Sequence, residues 1–260
     1  MDELLYEVRD DIGWITFNRP AARNALTFAM YERLAEICTQ QTIAPTLRAL
    51  VLTGAGEKAF AAGTDIGQFR AFTGPEDAIA YEARLGRVTD IIERCPIPMI
   101  AALSGACTGG GAGIAACCDI RIAAANLRFG FPIARTLGNC LSLANLARLS
   151  ALIGPARVKE IIFTARLIEA DEAKSAGLIS EILPDHATLM ARVTGLARAV
   201  ADNAPLTLRA TKESLRRLRD GADPESDADR DLILMCYLSH DFREGMEAFL
   251  GKRPPVWRGV

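Results

Sequence analysis

From Ser104 to Cys118 the chain carries only one side chain larger than threonine, Ile114. Such a stretch fits only where backbone must lie close to backbone or to a ligand, because a Cβ would block the approach. Pro98-Met99-Ile100-Ala101-Ala102-Leu103 before it reads as a short apolar strand, and Ala112 to Cys118 as a small-residue helix. The pattern is therefore a strand running through Gly109-Gly110-Gly111 into a helix. Loops of this build leave N–H groups unpaired at a helix N-terminus, where the helix dipole favours negative charge. A second segment has the same form: Gly54-Ala55-Gly56-Glu57-Lys58-Ala59-Phe60-Ala61-Ala62-Gly63-Thr64-Asp65-Ile66, with a helix expected to begin near Asp65. Either loop alone reads equally as a tight turn that lets a helix pack on a sheet. Neither ends in the Lys-Ser/Thr of a P-loop, and no dinucleotide-type GxGxxG stands in its proper context.

The flanking chain alternates strands and helices. Leu5-Tyr6-Glu7-Val8 and Trp14-Ile15-Thr16-Phe17 read as a hairpin about an Asp10-Asp11-Ile12-Gly13 turn. Thr27 is placed to cap a helix with Leu26, Met30, Leu34 and Ile37 on its apolar face. Leu47 to Thr53 and Asp119 to Ala123 read as further strands, so strand–strand–helix units fill the first two-thirds of the chain. From about Pro205 the character turns helical. Thr207 to Arg219 is strongly charged with Leu208, Leu215 and Leu218 on one face, and Gly221-Ala222-Asp223-Pro224 is the expected linker. Asp241 and Glu244 read as a capping box before Met246, Phe249 and Leu250.

Bulk properties exclude several classes. With 30 basic and 32 acidic residues the formal net charge is −2, so no global field favours nucleic acid or an anionic membrane. The basic stretch Arg209 to Arg219 is interrupted by Glu213 and lacks interleaved aromatics, which reads as a solvated helix face. No run approaches the roughly 18–20 apolar residues that span a bilayer, and the acidic start MDELLYEVRDD is no secretory signal. Seven cysteines, odd in number and without CxxC or Cys/His ligand spacing, read as reduced, packed thiols in a cytoplasmic protein. His186, expected in a loop, and His240, ahead of the last helix, are the only histidines, and no metal site is expected.

Taken in order, further segments join the two glycine loops. They are Ile15-Thr16-Phe17-Asn18-Arg19-Pro20 with Asn24-Ala25-Leu26, Cys118-Asp119-Ile120-Arg121, Ala173-Lys174-Ser175-Ala176-Gly177-Leu178-Ile179, and Phe242-Arg243-Glu244-Gly245-Met246-Glu247-Ala248-Phe249-Leu250. From near its first strand to its last helix the chain resembles the crotonase (enoyl-CoA hydratase/isomerase) superfamily. The resemblance implies an α/β fold, a right-handed spiral of ββα units, in which residues 1–200 form the acyl-CoA-binding core and 201–260 a C-terminal helical trimerisation region. It implies an acyl-CoA thioester as substrate, no cofactor beyond the coenzyme A carried by that substrate, and a homotrimer or homohexamer.

By the same resemblance the backbone N–H groups of Thr64 and Gly110 form an oxyanion hole for a thioester enolate. Ala62, Asp65, Ile66 and Gly67 line the CoA path, Lys58 approaches a nucleotide phosphate, and Phe249 and Lys252 meet CoA from a neighbouring subunit. Asp65 and Asp119 are expected to bond nearby backbone amides. The chain also departs from the pattern. Where the hydratases carry two catalytic glutamates, one after the glycine triplet and one after the Phe-Gly-x-Pro proline, this chain has Gly113 and Ile133. Hydration needs an activated water and a proton donor, each worth roughly 10²–10⁴ in rate. Glycine and isoleucine supply neither. The following segment, Leu137 to Asn145, differs as well, and Arg135, Asn139, Cys140, Ser142 and Asn145 are candidates to line the acyl pocket or to cap the next helix. The expected function is an acyl-CoA-processing enzyme of the enoyl-CoA hydratase/isomerase family, of the lyase or isomerase class, that stabilises a thioester enolate with both hydratase glutamates replaced. The alternatives are a non-catalytic acyl-CoA binder or assembly partner, or a CoA-thioester isomerase or hydrolase that uses other residues.

Overall fold

The computed structural model describes residues 2–260. β1 (Leu4–Arg9) and β2 (Ile12–Phe17) form the expected antiparallel hairpin, with Arg9 opposite Ile12 across a turn of only Asp10 and Asp11. α1 (Phe28–Ile43) starts at Thr27, whose hydroxyl accepts the Met30 N–H, and it buries Met30, Leu34 and Ile37. Next come β3 (Ala49–Gly54), β4 (Ala59–Ala61) and α2 (Pro75–Arg94), then β5 (Met99–Leu103), β6 (Ala106–Thr108) and α3 (Gly110–Cys117). The third turn comprises β7 (Ile120–Ala124), β8 (Arg128–Gly130) and the short α4 (Ile133–Thr136).

Each ββα turn therefore adds one strand to each of two sheets. The larger sheet runs β1-β2-β3-β5-β7 and the smaller β4-β6-β8, parallel throughout apart from the hairpin. After α5 (Leu143–Ile153) and α6 (Pro155–Phe163), β9 (Ile168–Glu169) closes the smaller sheet in antiparallel register. After α7 (Ala170–Ser175), β10 (Glu181–Leu183) completes the larger sheet beside β7.

Strand composition explains the layering. β3 and β5 are buried along their whole length, as parallel strands covered on both faces must be. Along β3, Leu50 and Leu52 point into the main core with Phe17, Leu34 and Phe60, whereas Ala49 and Val51 point the other way. That second face is covered by α8 (His186–Ala201), whose Leu189, Val193, Ala197 and Ala201 recur every four residues to make one apolar stripe. His186 thus begins a helix behind the Asp185 cap; it does not lie in a loop.

The C-terminal segment consists of α9 (Pro205–Arg219), α10 (Arg230–Tyr237) and α11 (His240–Leu250). Two sequence expectations need correction here. The cap of α11 is Ser239, which accepts from the Phe242 N–H. Asp241 instead holds the Arg258 and Gly259 amides, each at 2.8 Å, and Glu244 pairs with Arg253, so both carboxylates tie down the chain end. The charged face of α9 is not simply solvated: Lys212 reaches Asp119 at 2.8 Å, Arg217 reaches Asp231 and Arg219 reaches Glu93. Among the described residues no helix is long and apolar enough to cross a membrane.

Candidate active site

Two loops meet at the C-terminal ends of β4 and β6. The first is built from the side of the hairpin. Asn24, fully buried, donates from Nδ2 to the carbonyls of Ala59 at 2.7 Å and Ala55 at 3.1 Å. Leu26 then forms an isolated parallel bridge: its N–H donates to Gly63 O at 2.8 Å and its carbonyl accepts from Asp65 N at 2.9 Å. A parallel bridge uses the residues on either side of its partner and skips the partner itself. The Thr64 N–H is left without an acceptor among the described residues. Gly63, at φ +103°, makes the turn that allows this.

The second loop leaves a matching donor. Gly109 N donates to Gly130 O at 3.0 Å, and the first bond of α3 runs from Gly113 N to Gly109 O at 2.9 Å. Gly110, the first residue of α3, has an N–H at a helix N-terminus with no acceptor among the described residues. The loops touch: a Cβ built on Gly110 would lie 3.1 Å from Thr64 Oγ1, and one on Gly63 would lie 4.0 Å from Gly110 N. Both donors line one cavity of about 210 Å³.

Hydroxyl groups brace this edge of the cavity. Thr64 Oγ1 is 2.9 Å from Tyr31 Oη on α1 and 3.0 Å from Tyr81 Oη on α2. Burial raises the pKa of both phenols, so they remain neutral at physiological pH. Asp65 is placed as expected of a structural carboxylate: it accepts from Gly67 N at 2.9 Å and pairs with Arg19 at 2.8 Å. The hydrogen bond from Arg19, with help from that amide, holds its carboxyl below the usual aspartate value. Asp119 likewise accepts from Met99 N at 2.7 Å. The helix expected from Asp65 is only a 3₁₀ segment, Ile66–Ala71.

The remaining candidates divide. Ala62, Ile66, Gly113, Ile133, Asn139, Cys140 and Asn145 line the cavity with Thr64 and Gly110. Arg135 and Ser142 do not: Arg135 is exposed on α4, and Ser142 caps α5 by accepting from Asn145 N. Asp65, Gly67, Lys58, Phe249 and Lys252 also lie outside the lining, and Phe249 is 85% exposed on α11. Gly113 faces open space, since the nearest atom to a Cβ there is Asn145 Oδ1 at 4.0 Å.

Sequence reading missed the wall supplied by α2. Tyr81, Glu82, Leu85 and Thr89 line the cavity from that helix, together with Ile133 and Leu137. Pro75 at its first turn, Glu76 and Asp77 beside it, and apolar positions at Tyr81, Leu85, Val88 and Ile92 were the available helix signals. Nothing in a charged helix singles out Glu82. Among the described residues its carboxylate has no hydrogen bond or ion pair, and burial raises its pKa above the ordinary carboxylate value.

Comparison with known proteins bears on the fold and the family. The enoyl-CoA hydratase/isomerase family model matches residues 7–260. A crotonyl-CoA hydratase of Syntrophomonas wolfei is 32% identical over 253 residues, covering 97% of this chain and 96% of its own. A short-chain-enoyl-CoA hydratase of Clostridium acetobutylicum is 32% identical over 254 residues, with the same coverage. Among solved structures, an enoyl-CoA hydratase/carnithine racemase from Magnetospirillum magneticum superposes with a TM-score of 0.92 at 36% identity, covering 100% of this chain and 97% of that one. An enoyl-CoA hydratase from Bacillus anthracis gives 0.89 at 31% identity, covering both chains completely. The spiral of ββα turns is thus the crotonase fold, and the chain belongs to the enoyl-CoA hydratase/isomerase family.

Proposed function

We propose that the protein processes an acyl-CoA thioester through an enolate whose oxygen is held by the Thr64 and Gly110 N–H groups, and that water addition is not its reaction. The observation that carries this reading is the pair of backbone donors, both without acceptors among the described residues, lining a single cavity. A proton α to a thioester is hard to remove because negative charge must settle on the carbonyl oxygen. Fixed donors stabilise that charge without reorganising, and each is commonly worth about 10²–10³ in rate. The named relatives are hydratases of CoA thioesters, which supports the substrate class. Gly113 and Ile133, where the resemblance puts the two glutamates, argue against hydration. They also favour a second reading, a non-catalytic acyl-CoA binder or assembly partner.

The test is incubation with a short 2-enoyl-CoA and its saturated analogue in heavy water. Deuterium entering the α-carbon while the conjugated absorbance persists is the expected result. Rapid loss of that absorbance, with a 3-hydroxyacyl-CoA as product, would refute the exclusion of hydration. Binding with neither exchange nor hydration would favour the binder.

A further inference from the structure

We propose that Glu82 of α2 is the proton-transferring group of this site, and that the chemistry it serves is an allylic shift of the double bond in a β,γ-unsaturated acyl-CoA. The inference rests on the enolate reading above and adds to it the missing base.

Of the side chains lining the cavity, only Tyr31, Tyr81, Glu82 and Cys140 can ionise. The two phenols are held neutral by burial and are already engaged with Thr64 Oγ1. Cys140 lies on the exposed loop ahead of α5. Glu82 is half-buried, follows directly on the tyrosine that touches Thr64, and shares the cavity with both free N–H groups. Its nearest charged neighbours along α2 are turned elsewhere: Arg84 lies over the Phe28 ring at 4.5 Å and pairs with Glu32, and Arg87 also pairs with Glu32. From α1, α3, α4 and the Leu137–Asn145 loop no charged side chain lines the cavity. An unpaired carboxylate in such a place is partly desolvated, which strengthens it as a base and raises its pKa.

One carboxylate suffices for a 1,3-shift and does not suffice for hydration. The Glu82 carboxylate takes the proton from the α-carbon. The C–H electron pair becomes the bond between the α-carbon and the carbonyl carbon, and the carbonyl pair moves onto the oxygen facing the Thr64 and Gly110 N–H groups. When the enolate collapses, the β,γ double bond moves to the α,β position and the γ-carbon takes the proton back from the Glu82 carboxyl. No water, oxidant or second acid enters the balance.

The test compares wild type with Glu82→Gln and Glu82→Asp in the full chain. Conversion of 3-hexenoyl-CoA to its 2-enoyl isomer and α-deuteration of butyryl-CoA are followed, with butyryl-CoA binding measured by calorimetry. E82Q is expected to lose about 10²–10⁴ of both rates while binding stays within a few fold; E82D is expected to recover part of the loss. The wild-type rate should rise with pH through an inflection above the ordinary glutamate range, and that inflection should vanish in E82Q. Equal rates in wild type and E82Q would overturn the role of Glu82 and leave the enolate reading standing. So would loss of activity in Cys140→Ser with E82Q unaffected. A wild type that exchanges no α-proton and isomerises nothing would overturn both.

Discussion

Gly110 shows how little room a residue has at this site. A Cβ there would come within 1.9 Å of Tyr31 Oη, an impossible contact, and 3.3 Å of Tyr31 Cζ. Gly110→Ala must therefore displace either Tyr31 or the start of α3, and with it one of the two free N–H groups. The α-exchange rate is expected to fall by about 10²–10³, the value of one donor. Removing the offending hydroxyl should relieve the clash, so Tyr31→Phe combined with Gly110→Ala is expected to recover part of the activity. Exchange kinetics of the two single variants and the pair check this; a strictly additive loss would mean that the contact with Tyr31 is not what makes glycine necessary. The same residue scale explains Thr64. Its position is set by the Leu26 bridge on the backbone side and by two tyrosine hydroxyls on the side-chain side.

At the scale of elements, Glu93 near the end of α2 joins three helices. Arg148 of α5 donates to it at 3.0 and 2.9 Å, and Arg219 of α9 donates at 3.0 Å from Nη2. Burial by itself would raise this carboxyl, but hydrogen bonds from the two guanidinium groups outweigh it and hold the pKa at about 2 against an ordinary 4.5. A depressed folded-state value means that the stabilisation is fully present above the unfolded value near 4.5. It is then lost as pH falls from there towards about 2. Glu93→Gln leaves two arginines facing an uncharged amide and is expected to destabilise the fold by about 3 kcal/mol. Urea denaturation at neutral pH measures that loss. The variant should also lack the part of the acid lability between pH 4.5 and 2 that the wild type owes to this group. An unchanged acid transition would show that α9 is held by its other contacts.

For the whole molecule, the C-terminal helices leave several large apolar side chains exposed. Tyr237, Leu238, Phe242, Met246, Phe249 and Leu250 are all strongly exposed on α10, the turn after it and α11. Exposed apolar side chains concentrated on one segment are a mark of association surfaces. Residues 201–260 are accordingly proposed as a trimerisation region, and light scattering on the eluted protein is expected to give the mass of a homotrimer or homohexamer. A single species of 28.0 kDa at micromolar concentration would refute it.

The sequence by itself determined the strands and helices whose signals lie close together along the chain, but not the cap of α11 or the extent of the segment after Asp65. Period-two alternation in Leu5–Val8 and Trp14–Phe17, continuous apolar runs in β3 and β5, and the Thr27 cap with its four-residue stripe are local signals, and each element formed where they stand. The two glycine loops were legible for the same reason. Strands of two or three residues, such as β4, β6, β8 and β9, are too short to show a period, and only pairing across the spiral makes them strands. Tertiary structure alone decided which side chains share the cavity. Tyr31 reads locally as one more core residue of α1, and Glu82 as one more charge on α2; the spiral brings both to residues 64 and 110. It also decided what the α9 charges do, because Glu93 and Asp119 lie more than ninety positions away in the chain. Electrostatics and hydrogen bonding act through space, and distance along the sequence does not record it.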